Sequence, residues 1–187
     1  MFFIRSQMQS NYDERFIANT DVKAYREDMD LIVKDATKAI QKKDINMPQE
    51  GDGYASIRVD RIGFENTIYY GDNATLLNKG IGHYMGSSLP GEGSGILLAG
   101  HNGTEFYKLR LMQKGDMVNI DTSYGSYIYQ IQDTKIMFAS EFDTQEIHSD
   151  TERLIMYCCY PFNSLSTDQR YFVYADYVSG PQFQEGS

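Results

Sequence analysis

Between Asp21 and Lys43 apolar residues recur three and four apart: Val22, Tyr25, Met29, Ile32, Val33, Ala36 and Ile40. Such spacing lays one stripe along a helix. Thr20 suits the N-cap and Asp21 the first turn, while Lys42 and Lys43 complement the helix dipole at the far end. Pro48, Gly51 and Gly53 mark a linker. Beyond it the period shortens. Residues 55–60 alternate, 67–70 are a β-prone run, and 74–79 predict one or two helical turns. The glycine-rich stretch 80–95 reads as loop with short extended pieces. The run Gly95-Ile96-Leu97-Leu98-Ala99-Gly100 is apolar between glycines and fits a buried strand. Residues 106–112 predict helix. Strands follow over 117–121 and 126–138 around a Tyr124-Gly125 turn, then over 153–159 and 170–178. The polar, acidic segment 140–152 has room for one short helix.

Roughly eight short strands with few long helices predict a mainly β chain closed into a barrel, with short helices and an N-terminal α-helix. The organisation expected is a helical extension and linker over 1–50, a barrel over 51–180 and a tail over 181–187. Aromatics make up 13% of the 187 residues, with 15 Tyr and 10 Phe, which favours strands further. The formal net charge of −9 argues against a nucleic-acid partner. Most of the excess acid lies beyond residue 50. No spaced Asp/Asn loop with a glycine and a closing Glu is present, so no calcium site is predicted. No run approaches the ~20 apolar residues needed to cross a bilayer.

Two adjacent cysteines, Cys158 and Cys159, end the apolar run Leu154-Ile155-Met156-Tyr157. Neighbouring cysteines seldom pair, so no disulfide framework is expected. On a strand their side chains point to opposite faces, which lets one be buried while the other opens into a cleft. Pro161 ends the strand just beyond, placing a thiol at a loop mouth. Two inert buried residues are the alternative. His101 leaves the buried run 96–100 into an Asn102-Gly103 turn, where an imidazole can act as acid or base. A packed or surface histidine is the commoner case. Arg170 opens the last strand; near a thiol, its guanidinium would favour thiolate or hold an oxyanion, and otherwise it is a surface residue paired with Asp168.

Taken together, three segments resemble one family. Ala99-Gly100-His101-Asn102-Gly103-Thr104, Cys159-Tyr160-Pro161-Phe162 and Asp168-Gln169-Arg170-Tyr171 are similar, in order, to the His, Cys and Arg signatures of sortases, most like class D. Gly82-His83-Tyr84 with Leu89-Pro90-Gly91-Glu92, Lys114-Gly115-Asp116, and residues 124–129 extend the resemblance over about residues 53–180. It implies a cysteine transpeptidase with catalytic His101, Cys159 and Arg170, and it selects Cys159 over Cys158 as nucleophile through Pro161. His83, Asn102, Tyr160 and Pro161 are implied substrate-side residues, His83 by packing or by contact. The segment 140–152 is similar to the loop that contacts the sorting signal in the family, and His148 there is read as solvated. The family's Thr-Leu-x-Thr-Cys run is here Ile155-Met156-Tyr157-Cys158-Cys159, without either threonine.

The resemblance further implies an LPxTG-like cell-wall sorting signal on a surface protein or pilin, and an amine acceptor from peptidoglycan or a pilin Lys. No cofactor or metal is implied. The expected place is the extracellular face of a Gram-positive cell membrane, reached through an anchoring segment absent from this chain, and the expected state is a monomer. Two other readings stay open at this point: a thiol peptidase or acyl-transferase without an amine acceptor, and a non-catalytic peptide-binding β-barrel.

Overall fold

The computed structural model describes residues 39–162, 164 and 167–184, all within a compact unit spanning Asp35–Ser187. The expected helix over 21–43 lies outside the described residues as far as residue 38. Its described end is not helical. Ile40–Gln41 forms a short strand, β1, and Lys42–Asp44 a 3-10 turn. The reason is a tertiary partner: β1 pairs in parallel with β10 (Phe183–Gln184), and Lys42 reaches Glu92 at 2.6 Å.

Eight strands close into a barrel: β2 (Gly53–Val59), β3 (Phe64–Tyr70), β4 (Ile81–His83), β5 (Gly95–Ala99), β6 (Met117–Thr122), β7 (Ser126–Phe138), β8 (Arg153–Tyr160) and β9 (Gln169–Ser179). Around the barrel the order is β2-β3-β4-β5-β8-β9-β7-β6. The β3–β4 and β5–β8 pairs are parallel and the rest antiparallel. The parallel β3–β4 pair needs a crossover, which carries α1 (Ala74–Leu77), capped by the Asn73 side chain accepting from the amides of Thr75 and Leu76.

Period-two alternation fills the interior. Ile57, Val59, Ile68, Ile96, Leu98, Ile120, Ile131, Leu154, Met156 and Val173 are all fully buried. Each such aliphatic side chain contributes about 1.5–3 kcal/mol through burial. A second cluster lies outside the barrel wall. There Leu97, Ile155, Phe172 and Tyr174 are covered by Ile147, with Met137, Phe142 and Tyr157 packed against them. This explains why β5 and β8 read as continuous apolar runs: both their faces are covered.

Three expectations change. His83 is on a strand rather than in a loop, because Gly82 lets β4 lie under the crossover: a Cβ there would come within 2.8 Å of Leu77 Cδ2 and 2.9 Å of Asp72 Cα. Segment 139–148 forms two 3-10 turns, Ala139–Glu141 and Thr144–His148, instead of one helix. The expected helix after Phe106 is a 3-10 turn over Tyr107–Leu111.

At the end of the barrel opposite residue 101, Glu152 gathers the chain. Its buried carboxylate accepts from the amides of Gly91 and Gly93, from the Tyr129 hydroxyl at 2.5 Å and from Gln182 at 3.1 Å. The strap β1–β10 and the loop leading into β5 are thereby held together, and β5 enters the barrel from a fixed point.

Candidate active site

The alternation of β8 decides which cysteine is usable. Leu154, Met156 and Cys158 face the interior; Ile155, Tyr157 and Cys159 face outward. Cys158 is 1% exposed, and burial pushes its thiol up to about 12. Cys159 is partly exposed at the strand end.

Arg170 stands directly across the ladder from Cys159, in antiparallel register. Opposed pairs of this kind hold their Cβ atoms about 5 Å apart. One guanidinium nitrogen, Nη1, donates to the carbonyls of Thr167 at 2.6 Å and Gln169 at 2.9 Å. Among the described residues Nε and Nη2 have no protein partner, and no ion pair links Arg170 to Asp168. The positive charge is felt nearby, since it opposes the burial-driven rise in both Cys158 and Tyr157.

His101 arrives from the other side. In the parallel β5–β8 pair Ala99 is level with Tyr157, and the Gly100 amide donates to the Tyr157 carbonyl at 3.2 Å. Continued two residues further, that register would bring His101 level with Cys159. The backbone turns at once. The His101 carbonyl accepts from the amides of Phe106 at 2.9 Å and Thr104 at 3.4 Å. Gly100 is needed here because a Cβ would come within 2.7 Å of the Phe106 ring. The His101 side chain is exposed and makes no hydrogen bond among the described residues.

The residues expected on the substrate side separate. Tyr160 is partly exposed and packs edge-on against Phe162, at 6.0 Å between ring centres, and Pro161 is exposed after a cis peptide bond. Both lie beside Cys159. Asn102 is also there, but its amide nitrogen is committed to the carbonyls of Pro161 at 3.1 Å and Ser164 at 3.2 Å. His83 is elsewhere: it is 0% exposed, inside the barrel, with Tyr54 Oη 2.6 Å from Nδ1 and Ser87 Oγ 3.1 Å from Nε2. The Ser87 hydroxyl donates to the Tyr84 carbonyl, so it accepts from Nε2–H, and Nδ1 accepts from Tyr54. Burial lowers the imidazole to about 4. Of its two expected roles, packing fits this position and contact with substrate does not. His148 is exposed on its loop.

Sequence reasoning passed over the aromatic floor. Tyr157 shares the outer face of β8 with Cys159, stacks on Phe172 at 5.4 Å, and Phe172 stacks on Phe142 of the 139–148 segment at 5.1 Å. The signal available was the i, i+2 relation of Tyr157 to Cys159. Phe142 carried none, because only folding brings its loop over β9.

Comparison with known proteins agrees with this geometry. The sortase domain profile matches residues 57–178. This chain belongs to the sortase family. It is a cysteine transpeptidase, which cleaves a cell-wall sorting signal through a thioacyl intermediate and passes the acyl group to an amine. It is 32% identical over 147 residues to Sortase D of Bacillus subtilis (strain 168), covering 78% of this chain and 74% of that protein. Among solved structures it is similar to a Clostridium perfringens Sortase D5 transpeptidase, with 26% identity and a TM-score of 0.65 over 74% of this chain and 86% of the other. It also shares the fold of sortase E from Streptomyces avermitilis, with 22% identity and a TM-score of 0.60 over 71% and 91%. In this sortase the position that resembles the second threonine of the family's Thr-Leu-x-Thr-Cys run is Cys158, a side chain inside the barrel. No helix among the described residues is long and apolar enough to cross a membrane.

Proposed function

We propose that Cys159 is the nucleophile of this sortase, His101 its general acid and base, and Arg170 the cation that steadies the developing charge. The observation that carries the reading is the register: Cys159 and Arg170 form an opposed pair on the outer face, and the β5–β8 ladder, which ends with Ala99 level with Tyr157 and the Gly100 amide on the Tyr157 carbonyl, delivers the chain at His101 to the same end of β8. The Cys159 thiolate adds to the threonine carbonyl carbon of an LPxTG-like signal on a surface protein or pilin. The carbonyl electrons move to oxygen, where the free donors of Arg170 receive them. Collapse re-forms the carbonyl and breaks the C–N bond, and the leaving amine takes the proton of the His101 imidazolium. An amine of peptidoglycan or a pilin Lys then attacks the thioester, gives its proton back to His101 and expels the thiolate. Tyr160 and Pro161 border this path. The place of action is the extracellular face of a Gram-positive cell membrane.

Mass spectrometry of the chain incubated with a panel of sorting-signal peptides tests the reading, with and without an added amine. Acylation on Cys159 that is discharged to the amine supports it. Acylation on another residue, or hydrolysis that an amine never diverts, overturns it.

A further inference from the structure

His101 presents a problem of support. It is exposed, lacks a side-chain hydrogen bond among the described residues, and sits one residue past the last ladder contact of β5. A proton donor on so free a perch needs its backbone held from both sides. The back is held by the turn that returns the Thr104 and Phe106 amides to the His101 carbonyl. The front is held by Asn102. Its single amide nitrogen has two N–H groups, and the two acceptors in reach are the Pro161 and Ser164 carbonyls, 59 and 62 residues away along the chain. Those carbonyls belong to the loop that begins just after Cys159. There the Ser164 amide donates to the Pro161 carbonyl at 3.0 Å, and Arg170 Nη1 donates to the Thr167 carbonyl.

We infer that Asn102 is a positioning residue: its forked amide bridge locks the His101 turn to the Cys159 loop and so sets where the imidazole stands relative to the sulfur. This rests on the reading of His101 and Cys159 given above. It differs from the expectation that Asn102 binds substrate, because both donors are already used within the protein. No other side-chain hydrogen bond among the described residues joins the 101–106 turn to the loop after Cys159. The neutral amide suits the task. A carboxylate at this place would oppose two carbonyl oxygens, and a hydrocarbon would leave them unbridged.

The expected defect is specific to proton delivery. Displacement by about 1 Å is enough to cost on the order of a hundredfold when a group must meet a reacting atom. Asn102→Ala should therefore lower kcat for a sorting-signal amide by about tenfold to a hundredfold, with KM within about twofold. The same acyl group presented as a p-nitrophenyl ester has a leaving group that needs no proton, so its release by Asn102→Ala should stay within about threefold of wild type. Asn102→Gln keeps an amide on a longer arm and should recover part of the loss on the amide. Melting curves record the folded fraction of each variant, and rates are expressed per folded molecule; should Asn102→Ala not fold, Asn102→Ser is read by the same two substrates.

Equal losses on amide and ester would overturn the inference, as would a raised KM with kcat kept, which would make Asn102 a substrate ligand. No loss on either would reduce the bridge to a structural tie and overturn it also. Cys159→Ala runs beside these variants. If it still turned over either substrate, the nucleophile reading would fall, whatever Asn102 did.

Discussion

The inner and outer faces of β8 carry neighbouring residues to opposite ends. On the inner face Cys158 is packed among Leu154, Met156 and Val173, and its thiol is pushed so far up that no useful thiolate forms near neutrality. On the outer face Cys159 stands opposite an arginine whose Nε and Nη2 have no partner among the described residues, and near the turn that presents a histidine. One step along the chain separates a buried sulfur from the partly exposed one that we propose as the nucleophile. The two histidines of β4 and the β5 end repeat the lesson. His83 is enclosed, neutral and fully hydrogen-bonded, whereas His101 is open and, among the described residues, held through its backbone alone. In this barrel accessibility follows from facing outward at a strand end, not from residue type.

The sharpest way to break the comparison is to exchange its members. Cys159→Ala should reduce turnover of a sorting-signal peptide by more than about a thousandfold, while Cys158→Ala keeps a measurable part of it and costs about 1 kcal/mol in unfolding free energy. A chromatographic product assay and a urea titration read both effects, and the reverse ranking would put the nucleophile on the wrong face. Next comes selective alkylation. Iodoacetamide near neutral pH should modify Cys159 at least about a hundredfold faster than Cys158 in the folded chain, because only the thiolate reacts. Peptide mapping reads the ratio, which should approach one in denaturant.

The histidine pair yields a pH test. His83 is a base whose folded-state pKa is depressed, from 6.5 to about 4. Above the unfolded value both states are neutral and its environment costs nothing. Between about 6.5 and about 4 the unfolded chain binds a proton that the folded chain refuses, so stability falls as pH falls through that window. The loss attributable to this residue is ~3 kcal/mol. Urea unfolding at several pH values should show it, and His83→Gln should flatten the slope across the same window. A slope unchanged by that substitution would mean the imidazole is not the group responsible.

The smallest effect sharpens the outer face alone. Arg170→Lys keeps the charge and loses the fork, and should lower kcat/KM by at least about tenfold. Wild-type rates in that variant would show that a point charge suffices and that the paired donors are idle.

Much of this was legible in the residues themselves. A period of two placed β2 within a few positions, apolar and β-prone runs placed β5, β8 and β9, and glycine and proline placed the turns. The ordered His, Cys and Arg segments pointed to the family before any coordinate, and parity along β8 separated the two sulfurs. These are local properties, written in neighbours along the chain. What the tertiary structure alone decided depends on contacts between residues far apart. Ile40 and Gln41 leave the helical stripe because Phe183 and Gln184 offer them a ladder. His83 goes inside because Tyr54 and Ser87 satisfy both its nitrogens there. Phe142 joins the floor beside the site through Phe172, and Asn102 finds its two carbonyls across some sixty residues. A side chain's periodicity states which face it will take; which partner meets it on that face is settled only when distant strands close the barrel.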